Sequence, residues 1–381
     1  MKIFGLYPGL NIEGNDVAQL LLHLSQMGLE ITIVTAQTNP SKSIDRSPRY
    51  EPMDGIQVYR PYKNTFEMTF FPERHISEVL RIANKFNPDV IFCSQQQNMR
   101  IAVKLRKHLG VPIVLLVEVA SAIALGKSRS KLFSLAMQIQ GIPYGRAYWQ
   151  WLCKWSDAII TCYPKDKYVL NELSTMDTPV FYVPWPNQLP QEYTPANSRF
   201  KGRAMYAGAF SRLKNTDEFL ETIPLLMERT PTEEFIFVGS GDLRVIAELK
   251  KKYGSKIRHI IKLSRNETLE LLSSCYYAYT PAKIGGWGFI GECWATKTPL
   301  VMTHNDYCAR KGVDTLVIGA ADIDIAVNKI YDDQLLYESL RENGYKHYLE
   351  EHSAASIGEK LVDILTTVHE FGRSGSIGRT R

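Results

Sequence analysis

The sequence predicts an α/β protein built of two Rossmann-like domains facing a cleft. Three observations predict it. The chain has 381 residues, more than one core usually serves. Short apolar, β-branched runs alternate with segments of helical period, the pattern of parallel sheets with helices between the strands. That alternation breaks once, at the polar, proline-bearing stretch NQLPQEYTPANSRFKG (187–202), and then restarts, so this stretch reads as a linker.

In the first half, KIFGLY (2–7) reads as a strand. Val17, Leu20, Leu21 and Leu24 recur at helical spacing over 16–27, Gly28 ends that helix, and EITIVTA (30–36) is the next strand. Strands follow at 54–62, 88–94, 112–119, 157–163 and 180–185, with helices at 73–86 and 98–109. A basic, aromatic segment spans 127–155. In the second half, strands are expected at 203–210, 234–242, 256–263, 276–282 and through PLVMTHN. Helices are expected at 215–229, 243–252, 267–275, 322–331, 334–349 and 353–371, and the tail GRSGSIGRTR (372–381) reads as disordered.

Composition narrows the class. Hydrophobic residues at 45% and charged residues at 22% are ordinary for a soluble globular protein. A net charge of +5 suits an anionic ligand but is far from a histone-like balance. The six cysteines (Cys93, Cys153, Cys162, Cys275, Cys293, Cys308) form no CxxC pair and show no zinc spacing. They read as buried free thiols of a reducing compartment, hence a cytoplasmic protein. No apolar run reaches the ~20 residues that span a bilayer, and MKIFGLYPG does not read as a signal peptide. Any membrane contact is then peripheral, at the inner face.

Ligands of open α/β sheets bind beyond the carboxyl ends of the strands, so the loops after the strands carry the chemistry. In YPGLNIEGND (7–16), Gly9 and Gly14 let backbone approach a ligand, and a helix starting near Asn15 or Asp16 offers amide donors to an anion. A plain turn with Asp16 as N-cap accounts for the same residues. In GAFSRLKN (208–215), Arg212 and Lys214 beside a helix start suit a diphosphate, or are solvated charges. In FVGSGD (237–242), Gly239 and Gly241 make either a tight turn or a backbone approach to a ligand. In GGWGFIGECWATKTPLV (285–301), Gly285, Gly286, Gly288 and Gly291 bare the amides of a helix start around Trp287 and Phe289. One acid, Glu292, is expected in the first turn, where it either caps the helix or accepts both hydroxyls of a ribose.

The order of these motifs resembles the retaining GT-B-fold glycosyltransferases, the large group that includes sucrose and glycogen synthases and many bacterial sugar transferases. The similarity spans about residues 1–365. That family has a glycine loop after the first strand, a "GRL…KG" loop, a "GxG" and an "EGFG…EAxAxGxPVV" segment. Here they read GND at 14–16, GAFSRLKN, GSG and GGWGFIGECWATKTPLV. The resemblance implies an N-terminal acceptor-binding domain (1–190), a C-terminal donor-binding domain (200–352) and a last helix (353–371) crossing back to the N-terminal domain. It implies that Glu292 binds the donor's ribose while Gly14, Asn15, Gly239, Gly241, Gly285, Gly286, Trp287, Gly288 and Phe289 line the rest of the donor. Three positions depart from the family pattern. The first glutamate of the pair falls at Gly285, the arginine of "GRL" at Ala209 with Arg212 three residues on, and the family's histidine at Glu118. Glu118 ends the apolar strand VLLVEV, where a carboxylate is either paired or functional.

The expected activity is therefore sugar transfer from a nucleoside-diphosphate donor, of UDP or GDP type, with retention. Glu118 would act at the sugar or acceptor, and Lys214 and Arg212 at the leaving diphosphate. No metal is expected. The Asp322–Ile323–Asp324 stretch reads as helix-start chemistry rather than a metal site. The acceptor is a sugar, a lipid-linked group or another hydroxyl, with nucleic acid the less favoured alternative. Lys127, Arg129 and Lys131 with Trp149, Trp151 and Trp155 either touch an anionic membrane or belong to a core helix. A non-catalytic nucleotide-sugar-binding protein and a nucleotide-sugar epimerase are the rival functions on the same fold.

Overall fold

A computed structural model of the chain describes residues 1–8, 16–38, 47–53, 55–117, 146–174, 178–187, 189, 193, 195–196, 198–211, 214–283, 287–304 and 308–373. It comprises two compact units, Met1–Pro184 with the C-terminal segment from Ile357, and Trp185–Ser356.

The first unit holds β1 (Lys2–Leu6), β2 (Glu30–Thr38), β3 (Tyr50–Met53), β4 (Ile56–Asn64), β5 (Val90–Ser94), β6 (Ile113–Val117), β7 (Ala158–Thr161) and β8 (Val180–Tyr182). They form one sheet in the order β3-β4-β2-β1-β5-β6-β7-β8. Every pair is parallel except the β3–β4 hairpin. The central strands β5 and β6 are buried along their whole length, as a parallel sheet covered on both faces requires. The helices over it end where the chain supplies left-handed residues. Gly28 closes Asp16–Gln26 at φ 90°, Asn87 closes Ile76–Phe86 at φ 53°, and Gly110 closes Met99–Leu109 at φ 73°. Asp157, at the start of β7, accepts from the Arg106 guanidinium and from the Ile113 N–H at 2.9 Å, tying helix 99–109 to two strands.

The second unit holds β9 (Phe200–Ala207), β10 (Glu234–Val238), β11 (Ile257–Ile260), β12 (Cys275–Thr280), β13 (Leu300–Met302) and β14 (Thr315–Val317). Its sheet is entirely parallel, in the order β11-β10-β9-β12-β13-β14.

Several expectations change. The strand expected over 54–62 leaves out its partner β3, whose sequence YEPM has no apolar period; Gly55, at φ 84°, lies between the two. Helices Thr65–Phe70 and Pro164–Leu173 and the short strand β14 were also not expected. The stretch 187–202 is not a free linker. Asn187 is buried, the Ala196 N–H donates to Ser273 Oγ at 2.8 Å, and β9 begins at Phe200. Arg199 donates to the carbonyls of Cys275 (3.0 Å) and Thr296 (2.8 Å), so its polar sequence is spent on hydrogen bonds inside the second unit. The final helix runs Ala354–Arg373, and 374–381 lies outside the described residues. It lies on the first unit: a Cβ at Gly358 would meet His23 and Met27, and His369 approaches Asp89 at 3.7 Å.

The aromatic segment is resolved in favour of a core helix over the part that is described. Trp149, on helix Arg146–Trp155, is fully buried in the core cluster that also holds Met99, Leu115 and Ile159, and Trp151 and Trp155 pack against the same cluster. Lys127, Arg129 and Lys131 lie outside the described residues. Among the described residues no helix is long and apolar enough to cross a membrane. None of the six cysteines is in a disulfide, and burial pushes the Cys153 thiol up to about 11 and that of Cys275 up to about 12. Trp149→Ala should cost about 3–5 kcal/mol of stability, read as a lower urea midpoint, because it empties a filled core site. The half-exposed Trp151 should cost much less on the same change. A negligible loss at Trp149 would place this face outward instead.

Candidate functional site

In the second unit, the order of the strands reverses at β9. The chain steps outward from β9 to β10 and β11, then returns to the other side of β9 as β12. In open α/β sheets such a reversal is where a crevice lies, at the carboxyl ends of the two strands that flank it, here β9 and β12. The loops after these strands are the GAFSRLKN loop and the glycine-rich loop that leads into helix Trp287–Ala295.

The β9 loop stands against the loop after β10. Gly208 N–H donates to Val238 O, Phe210 N–H to Ser240 O and Asp242 N–H to Phe210 O, at 2.9–3.0 Å. This approach demands bare α-carbons opposite. A Cβ at Gly239 would lie 2.0 Å from Gly208 O, and one at Gly241 2.3 Å from Phe210 O, with both glycines at φ near +135°. The two glycines of GSG are thus explained by the backbone they press on, and their effect is to set the loop that carries Lys214.

The sequence expectations meet at Lys214 and Trp287. Lys214 Nζ lies 5.9 Å from the centre of the Trp287 ring, which puts a cation against the first residue of the helix on the far side of the crevice. Trp185 packs against the same ring at 5.5 Å. Gly288 is half-buried beside Trp287. Phe289 is different: its ring is buried and meets Tyr206 edge-on at 5.6 Å, so its side chain is core and only its backbone faces the helix start. Gly291 is explained by packing, since a Cβ there would strike the Asn187 amide at 2.0 Å.

Glu292 is the sixth residue of its helix, in the second turn and not the first. That position removes the helix-cap reading, because only the first-turn amides lack intrahelical partners. Its carboxylate is 16% exposed and lies 3.6 Å from Arg265, which opens helix Arg265–Ser273 behind a capping box of Ser264 and Glu267. The Asp322–Ile323–Asp324 stretch also reads differently. Asp322 takes the N-cap position of helix Ile323–Asp332 without a side-chain cap bond, and Asp324 turns toward Arg229 at 3.5 Å. Glu118, Arg212, Gly14, Asn15, Gly285 and Gly286 lie outside the described residues.

One residue of this site escaped the sequence. Glu218 follows the β9 loop and gathers the ends of three strands. Its carboxylate accepts from Asn215 Nδ2 at 2.6 Å, Tyr279 Oη at 3.2 Å, His304 Nε2 at 3.0 Å and Thr303 Oγ1. Tyr279 is on β12, and Thr303 and His304 follow β13. The loop after β9 is thereby pinned to both of the next strands in the sheet. An acid three residues beyond a loop carries no signature by itself; the four donors come from positions up to 86 residues away.

The chain is similar in structure to the sucrose-phosphate synthase of Thermosynechococcus elongatus, with 14% identity, 96% of this chain and 98% of that one covered, and a TM-score of 0.73. It is similar to Anabaena HepE solved with UDP-glucose, at 11% identity, 96% and 100% coverage and a TM-score of 0.67. It is also similar to an α-glucosyltransferase solved with UDP-glucose and DNA, at 13% identity, 96% and 98% coverage and a TM-score of 0.62.

The chain carries the GT-B fold.

No protein-family model and no curated protein matches the GT-B chain by sequence. Identities of 9–14% leave the fold as the shared property. Within that fold, Glu218→Gln should lower the stability of the second unit by about 1–3 kcal/mol, because an amide cannot accept all four donors. Denaturant unfolding followed by Trp287 and Trp294 fluorescence measures it. An unchanged midpoint would mean that these bonds do not hold the loop.

Proposed function

We propose that this chain transfers a sugar, with retention, from a nucleoside-diphosphate donor to a hydroxyl acceptor. The observation that carries the reading is the Lys214–Trp287 approach across the crevice of the second unit, with Glu292 farther along the same helix. A cation and a helix N-terminus there suit a diphosphate, and a half-buried carboxylate suits the paired hydroxyls of a ribose. The donor is assigned to the UDP type, because several structurally similar proteins hold UDP or UDP-glucose. The first unit is assigned to the acceptor.

The chemistry follows from charge. As the sugar–oxygen bond breaks, the sugar gains oxocarbenium character and the diphosphate gains negative charge. Lys214, Arg212 and the amides at the start of helix Trp287–Ala295 would stabilise that charge as it grows. Gly239, Gly241 and Gly288 would shape the backbone around it, and the resemblance adds Gly14, Asn15, Gly285 and Gly286 to the donor-lining positions. Retention by attack on the face the leaving group departs from needs no enzyme nucleophile, which suits a chain with Gly285 where the family has an acid. Glu118 would position the sugar or the acceptor hydroxyl. The same Gly285 and Ala209 departures favour one second reading, a non-catalytic protein that holds a nucleotide sugar. Slow release of UDP from a sugar donor distinguishes the two, since only the enzyme does it.

Glu292→Gln should weaken UDP binding by about 1.5–3 kcal/mol, the scale of a hydrogen bond to a charged group. Calorimetry with unchanged affinity would confine Glu292 to its pairing with Arg265. Lys214→Ala should slow transfer and weaken UDP much more than uridine, whereas an equal loss for both ligands would signal a folding defect. Transfer should also proceed at full rate without added magnesium or manganese. A rate that needs either ion, and loses that need in Asp322→Asn or Asp324→Asn, would move the phosphate site elsewhere.

A further inference from the structure

Behind the helix that carries Glu292 lies a group of metal-binding side chains that the proposed reaction does not use. Cys308, His347 and His352 each offer one ligand atom, and these three atoms lie within 4.8 Å of one another. Among the described residues no other such group occurs. We infer that Cys308, His347 and His352 bind a zinc ion.

The donor set fits. One thiolate and two imidazoles are the ligands a borderline-soft, tetrahedral d¹⁰ ion prefers, at about 2.0–2.3 Å each. Ligand atoms around such an ion stand roughly 3.3–3.8 Å apart by that geometry. Cys308 Sγ and His352 Nε2 are already 3.2 Å apart. His347 Nδ1 is held by Asp314 Oδ2 at 2.8 Å, and the Asp314 carboxylate is itself fixed by the Arg310 N–H at 2.9 Å. A histidine whose Nδ1–H donates to a carboxylate keeps its lone pair on Nε2 and is oriented to ligate through it. Both histidines and Asp314 are buried, while Cys308 is half-exposed, which gives the ion a way in and leaves the fourth position to water.

The backbone is shaped for the same end. His352 follows His347 by five positions, a spacing that an α-helix would turn to different faces. Here Tyr348–His352 is a π-helical turn, closed by the Ser353 N–H on Tyr348 O at 2.8 Å, and the wider turn brings both rings together at 5.1 Å. Trp294 packs on both imidazoles, at 4.5 and 5.1 Å. Residues two apart on a helix point about 200° from each other, so Trp294 faces the histidines from the side opposite to Glu292. The ion would therefore brace the donor helix from behind without touching the donor. Binding costs the Cys308 thiol its proton, which passes to solvent as the sulfur–zinc bond forms.

The test uses the full chain without a histidine tag, stripped with EDTA and returned to metal-free buffer. Added zinc should bind at one equivalent and raise the melting temperature, since the ion holds only the folded state. Cobalt(II) in its place should show a thiolate-to-metal charge-transfer band. Cys308→Ala changes the least buried ligand; its folding is checked by unchanged UDP binding or circular dichroism. It should weaken zinc at least about tenfold and abolish the band, and Asp314→Asn should weaken zinc about 10–100-fold by loosening His347. Failure to take up zinc would overturn the site, as would a cobalt complex without the thiolate band or full affinity in a folded Cys308→Ala protein.

Discussion

The second unit depends on how closely two backbones can run. The β9 loop sits at the mouth of the sheet because Gly239 and Gly241 present no side chain to the carbonyls of Gly208 and Phe210. From that fixed start the chain reaches Lys214, and two residues past Thr216 the Glu218 carboxylate fastens it to the ends of β12 and β13. Without the close approach, the cation would hang on a free loop. With it, the cation has a definite neighbour in Trp287. Burial reinforces the arrangement: the aromatic rings of Tyr206, Phe219, Phe237 and Tyr279 pack edge to face beneath the loop and leave it little room to shift.

Much of this was legible because the strands are parallel and buried on both faces. VIFCS and IVLLV announce themselves as apolar runs, and the helices between them keep their period. The loops were legible as glycine and cation clusters, though not in their reasons. Gly239, Gly241 and Gly291 look alike in sequence to a ligand-binding loop, yet each faces a protein atom that a methyl would strike. Glu292 stands one turn further into its helix than the sequence suggests, because nothing in GGWGFIG marks where the helix begins. The polarity of 187–202 suggests a linker, whereas its half-buried Arg199 donates to three groups of the second unit. Glu218 and the Cys308–His347–His352 group were invisible for one reason: their members meet only in space, across 86 and 44 residues.

The division between fold and chemistry is equally visible. A sheet of this topology provides a crevice at β9 and β12 whatever the residues around it. The proposed anion site rests on a single lysine and the open end of one helix, and the proposed ribose contact on a single carboxylate beside Arg265. These are few groups, so small changes in sequence can redirect the site while leaving the core untouched.

The final helix has a consequence for how the protein is made. Ile357, Leu361 and Leu365 are buried on the first unit, whose sheet is otherwise complete by Tyr182. The intervening residues form the second unit, and its two ends are held together where the Asn187 N–H meets His352 O at 2.9 Å. A chain leaving the ribosome from its N-terminus can finish the second unit while the first still lacks a helix. The half that begins first is closed last, and until then its apolar surface over Pro112 and Met27 stays open to whatever else is near.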